Sequence, residues 1–118
     1  MSLETIVQGR IGAINFGSVY AVQAPEGSSF PVVVWQRISA APVDTHDNAP
    51  TDAFISRVQI DCYADNIETA RSLMEEVISA MEGTPDESAI QCAGKMESYE
   101  QDAQVYRASA DFFVWANN

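Results

Sequence analysis

The chemistry open to this chain is limited by two cysteines, one histidine and 17 acids among its 118 residues. The stretch from Arg57 to Ala64, RVQIDCYA, sets Asp61 beside Cys62 soon after the single histidine, His46. A thiol nucleophile needs a base within hydrogen-bond reach, and that base needs a third group to orient it. In a strand, successive side chains point to opposite faces, so Asp61 and Cys62 diverge. His46 falls in a proline-rich loop. Cys62 is therefore expected to be a buried structural thiol, because buried cysteine behaves as a small hydrophobe. The second cysteine, Cys92, is too far along the chain for a CxxC motif, and a second histidine is lacking, which argues against a zinc site and against a disulfide framework.

The acids invite two other readings. A pair of carboxylates can hydrolyse a glycoside, but no pair is singled out and the chain is short for a deep cleft. Asp44, His46, Asp47 and Asp52 could gather a divalent cation, yet they lack the regular acid positions and central glycine of a calcium loop. A solvated loop is the expectation there, and long loops are also where partner contacts concentrate. Neither GRIG nor EGSS matches a phosphate-cradling glycine pattern. No cofactor and no metal is expected.

The net charge of −11 opposes a large phosphate-binding surface, so nucleic acid is not an expected ligand. The longest apolar run, VVVW at 32–35, is strand-sized and far below the ~20 residues of a membrane span. The opening MSLETIVQGR has no basic leader, and the expectation is a soluble cytoplasmic protein. A hydrophobic content of 47% suits one domain over residues 1–118.

Positioning these groups requires a scaffold, and its elements follow from periodicity. Leu3, Ile6, Val7, Ile11 and Ile14 recur at helical spacing with Ser2 as cap. In the glycine- and proline-rich connector that follows, only Val19–Val22 resembles a short strand. VVVWQRISA predicts a strand over 31–40, and residues 41–52 a long polar loop. AFISRVQIDCYA alternates cleanly, with Phe54, Ser56, Val58, Ile60, Cys62 and Ala64 on one side. DNIETARSLMEEVISAMEG predicts the main helix, capped by Asp65 or Asn66 with Glu68 placed for a capping box and Gly83 as stop. Residues 89–100 read as a weaker strand interrupted by Gly94, a candidate bulge, and residues 105–115 as a strand hairpin-linked to it.

The order α-β-β-α-β-β predicts an α+β fold. It has a mainly antiparallel four-stranded sheet, room for one extra short strand, and the N-terminal helix and main helix packed on one face. Ala108 and Ala110 would let a helix approach, so their face is assigned to the core. The opposite face then collects Arg37, Arg57, Asp61, Arg107 and Asp111 with Trp35, Tyr63, Phe113 and Trp115. Such a face serves either as cross-strand ion pairs or as an interface, where aromatic and arginine side chains are enriched.

The succession VYAVQAPEGSSFPVVVWQRIS, SRVQIDCYADNIETARSLMEEVISAMEG and VYRASADFFVW, spanning about residues 19 to 115, resembles the small tail-completion proteins of tailed bacteriophages and prophages, the tail-terminator or head-tail joining group. The N-terminal helix and the 41–53 loop carry no matching motif. The resemblance implies a structural role without catalysis. Copies would form a ring, commonly a hexamer, that caps the tail tube and joins it to the head. The implied partners are the protein's own copies, the tail-tube protein and head-tail connector proteins, with no nucleic acid or membrane recognised. The implied location is the host cytoplasm during assembly and then the virion tail. The outer sheet face and the loop acids Asp44, Asp47 and Asp52 with His46 are the candidate contacts. The rival reading is a small enzyme or ligand-binding protein using a pocket between helix and sheet.

Overall fold

The computed structural model describes residues 3–12, 18–21, 30–42, 53–82 and 90–117. They form helix α1 (Leu3–Ile11), strands β1 (Ser18–Ala21), β2 (Val32–Pro42) and β3 (Ala53–Ala64), helix α2 (Ile67–Glu82), and strands β4 (Ile90–Glu100) and β5 (Val105–Asn117). The expected α+β architecture is present: four long antiparallel strands make the sheet, and both helices contribute to one core on one face of it. The fifth, short strand is β1, which pairs parallel to β2, Ser18 opposite Val32 through Ala21 opposite Trp35.

The strand order is β1-β2-β3-β5-β4. Chain neighbours β3 and β4 are thus separated by β5, which runs antiparallel to both. The crossover between β3 and β4 is α2, as a parallel relation between two strands requires. That connection lays α2 over the middle of the sheet. Its buried side chains are Ala70, Leu73, Met74, Val77 and Met81. They meet Val58, Ile60, Cys62 and Ala64 of β3 and Ala108, Ala110, Phe112 and Val114 of β5 in one core cluster. Each fully buried aliphatic side chain contributes roughly 1.5–3 kcal/mol before chain entropy is subtracted.

Polar contacts fix the helix ends. The Thr69 N–H donates to Asn66 Oδ1 at 2.8 Å, which makes Asn66 the N-cap. Glu68 then stands at the second helical position, so its spacing from Asp65 does not form a capping box. At the other end, Arg10 of α1 donates to the Met81 carbonyl oxygen at 2.6 Å. A cation there complements the negative end of the helix dipole and ties the two helices together. Ser2 and Gly83, the other expected helix markers, lie outside the described residues.

Two bulges set side-chain phase. In β4 the register shifts between Cys92 and Gly94, as the glycine suggested, and Gly94 has φ 157°. The Cys92 N–H at this bulge is taken by Glu82 Oε2 at 2.8 Å. In β2 the register shifts between Arg37 and Ser39, leaving Ile38 46% exposed.

The β2 phase corrects one expectation. Trp35 pairs with Ile60 and Arg37 with Val58, so both side chains lie on the helix face rather than the outer one. Trp35 is only 4% exposed and belongs to the core, whereas Arg37 is exposed. The cause is the uninterrupted apolar run Val32–Trp35, which carries no alternation from which its phase can be read. Val32 and Val34 fill the outer-face positions instead, and both are buried.

Replacing the cap tests this account of α2. Asn66→Ala is expected to lower stability by about 1 kcal/mol in urea denaturation, and Asp65→Ala by much less.

Candidate functional site

The outer face of the sheet is built by β3 and β5, whose register sets Tyr63 opposite Arg107, Asp61 opposite Ser109, Gln59 opposite Asp111, Arg57 opposite Phe113 and Ile55 opposite Trp115. β4 adds Met96 beside Ser109 and Ser98 beside Arg107. From β2, Val34 lies beside Asp61 and Gln36 beside Gln59.

Its centre is the carboxylate of Asp61, only 5% exposed. The Ser109 hydroxyl donates to Asp61 Oδ1. Gln59 Nε2 donates to both carboxylate oxygens, at 3.0 and 3.1 Å. Arg107 Nε lies 3.4 Å from Oδ1 and donates to Ser109 Oγ at 2.9 Å. The same guanidinium reaches Glu100 Oε1 at 3.3 Å, and that oxygen also accepts from Ser98 Oγ. A buried charge is tolerated only when it is paired and hydrogen-bonded, and Asp61 meets both conditions. Nearer solvent, Arg57 and Asp111 form a separate ion pair at 2.5 Å.

The network orders its neighbours' acid–base behaviour. Burial, and then the Asp61 charge, push the Cys62 thiol up to about 12. Burial and Asp61 likewise raise Tyr63, against the opposing pull of Arg107. Cys62 stays a protonated thiol under the helix and makes a poor nucleophile. The Ser109 hydroxyl donates to Asp61 and accepts from Arg107 in a site 5% exposed, so it is spent on structure. Among the described residues no cluster of three or more His, Cys, Asp or Glu side chains could hold a metal.

Of the residues singled out in the sequence, Arg57, Asp61, Tyr63, Arg107, Asp111, Phe113 and Trp115 do share this face. Trp35 and Arg37 do not, and Asp44, His46, Asp47 and Asp52 lie outside the described residues. Gln59, Ser109 and Glu100 were missed. The first two alternate in phase with Arg57 and Arg107, and hairpin pairing of Glu100 with Val105 would have brought the acid to Arg107.

Two open hollows flank β4. One, about 370 Å³, lies on the outer face against Arg57, Gln59, Met96, Arg107, Ser109 and Asp111. The other, about 430 Å³, is lined by Arg71, Met74 and Glu75 of α2 with Lys95, Met96 and Glu97 of β4. Arg71 spans it to Glu97 with two hydrogen bonds of 2.8 and 2.9 Å, which hold the Glu97 carboxyl below its ordinary range.

Residues 6–117 match the family profile described as tail completion protein gp17. Among solved structures, the chain is similar to a component of the virion of a native gene transfer agent particle, with a TM-score of 0.71 at 14% identity over 99% of this chain and 96% of that one. A crystal structure from Akkermansia muciniphila is matched with a TM-score of 0.45 and 14% identity over 74% of this chain and 41% of that one. No curated protein matches the chain. The virion likeness, at that identity, is one of fold.

Three measurements check the site. Asp61→Ala removes the acceptor shared by Ser109, Gln59 and Arg107, and is expected to cost about 1–3 kcal/mol of stability; Arg57→Ala, at a half-exposed pair, should cost under about 1 kcal/mol. Thiol labelling of the native protein near pH 8 should modify Cys92 but reach Cys62 only after denaturation. Because the folded Cys62 value lies above the unfolded 9.0, its contribution is complete below pH 9 and is lost as pH climbs towards 12. Alkaline denaturation should follow that window, and Cys62→Ala should flatten it, leaving the part owed to Tyr63.

Proposed function

The chain belongs to the family of tail completion protein gp17 and is a phage structural tail protein; from that premise we propose that it is the subunit of a ring that closes the end of the tail tube and offers the surface on which the head is joined. The ring is a cyclic homo-oligomer, commonly of six copies. The tail-tube protein and head-tail connector proteins are its other partners. Its role is structural rather than enzymatic, carried out by one domain that assembles in the host cytoplasm and remains in the virion tail.

The observation that supports this most directly is the outer sheet face, which is unlike a plain solvated surface. A polar network buried around Asp61 stands beside aromatic side chains left open, Phe113 at 39% and Trp115 at 44% exposure. Aromatic residues and arginine are the types enriched at protein interfaces. Arg57, Tyr63, Arg107, Asp111, Phe113 and Trp115 are assigned to the contact with a neighbouring subunit, with Asp61 holding Arg107 and Ser109 in place behind them. Asp44, His46, Asp47 and Asp52 are assigned to a second contact, with a neighbour or the head connector. Ring formation needs a heterologous contact whose rotation closes, so one face of a subunit must meet a different face of the next.

Light scattering and electron microscopy should find a cyclic oligomer, either of the purified protein or after addition of tail tubes. Trp115→Glu and Phe113→Glu should abolish it while changing subunit stability by no more than about 0.5 kcal/mol, as exposed substitutions do. Monomer alone, even with tail tubes present, would sink the reading.

A further inference from the structure

β4 is the edge strand of the sheet, and among the described residues no strand pairs with its outer side. Its N-terminal end is closed off, because the Cys92 N–H at the bulge is taken by Glu82. Beyond the bulge, from Gly94 to Glu100, its register with β5 runs unbroken. A regular edge of this kind is a template for another strand, and proteins commonly blunt such edges with lysine and bulges. β4 carries both devices, Lys95 and the Gly94 bulge. Lys95 forms no direct ion pair of its own among the described residues, while two positions on, and on the same face, stands Glu97.

We propose that β4 pairs antiparallel with β4 of a second copy about a two-fold axis at Met96, setting Lys95 of each chain opposite Glu97 of the other. Only this same-face register is self-complementary in charge. Centring on Lys95 opposes two lysines, centring on Glu97 opposes two acids, and centring on Ser98 leaves Lys95 against Gln101. Opposite charges directly across strands stabilise the pair, and like charges destabilise it. Lys95 therefore turns away strands that lack an acid at the matching position and accepts this one.

The same register places Gly94 against Ser98 and Met96 against its own copy. Met96 is 60% exposed, the most open large apolar side chain among the described residues, and self-pairing covers it. Glu97 keeps its bonds to Arg71 and gains a second cation, so the ion pair extends across the contact. The opposing term is the −11 charge carried by each copy. At physiological ionic strength the screening length is about 8 Å, so local pairs outweigh distant repulsion. A two-fold contact joins two copies and cannot propagate a ring. This pairing is independent of the ring reading and uses the edge of β4 rather than the aromatic face.

Cysteine cross-linking and sedimentation test it, in a Cys92→Ser background. Antiparallel partners at a two-fold axis have Cα atoms about 4.5–5.5 Å apart, within the range a disulfide spans. Met96→Cys should give a disulfide-linked dimer under mild oxidation, and Gln101→Cys, exposed in the adjoining turn, should not. Lys95→Glu should weaken dimerisation about tenfold or more, and Lys95→Glu with Glu97→Lys should restore it, circular dichroism confirming the fold of each. Cross-linking at Met96→Cys no greater than at Gln101→Cys overturns the proposal, as does a dimer insensitive to Lys95→Glu or not rescued by the exchange. Rings seen by electron microscopy should persist in Lys95→Glu, so failure of this contact and failure of ring assembly are scored separately.

Discussion

The closeness with which α2 can lie on β3 and β5 governs the rest of the molecule. Ala64, Ala108 and Ala110 put small side chains on the helix face of the two central strands, in one core cluster with Ala70 and Val77 of the helix and Cys62, Ile60 and Phe112 of the strands. Interiors pack at crystal-like density, so an added methylene in this seat must displace backbone. With the helix seated, its ends reach their partners: Asn66 closes the first turn, Arg10 closes the last, and Glu82 meets the β4 bulge. The helix face of β3 and β5 is thereby committed to the core, and the outer face and the β4 edge are among the described surfaces left for other molecules.

That outer face divides by depth. Asp61, Ser109 and Gln59 form a layer close to the strands, with Val32, Val34 and Val105 buried alongside. Arg57, Asp111, Phe113 and Trp115 stand higher and are open to a partner. The buried layer fixes side-chain positions without solvent, and preorganised side chains lose less freedom when a partner arrives. A buried ion pair is weak evidence for stability in itself, since its desolvation offsets much of the attraction. Its value here is geometric: Arg107 is held between Asp61 and Glu100 and cannot sample other rotamers cheaply.

The sequence made some of this legible and hid the rest for identifiable reasons. β3 and β5 alternate over their whole length, so their faces, and the inward direction of Cys62, could be read directly. Helix α2 carries both a clear stripe and a capping residue. The Val32–Trp35 run has no polar member to mark a face, and the Ile38 bulge then shifts phase again, which is why Trp35 and Arg37 were misplaced. The parallel partner of β1 and the insertion of β5 between β3 and β4 are long-range pairings on which local periodicity is silent. Gln59 and Ser109 escaped notice because uncharged polar side chains look like ordinary strand surface until an acid is buried beside them.

The extra residue in β4 works like an inserted letter in a reading frame. Ala93 shifts every later side chain of the strand by one place, so Lys95, Glu97 and Tyr99 fall on the helix side and Met96, Ser98 and Glu100 on the other. Loss of that one codon would exchange the two sets. Met96 would turn under the helix, the Arg71 partner would turn away from it, and Glu100 would leave Arg107. Insertions and deletions in β4 therefore cost far more than substitutions, because a change of length between the bulge and the turn re-faces every side chain that follows it.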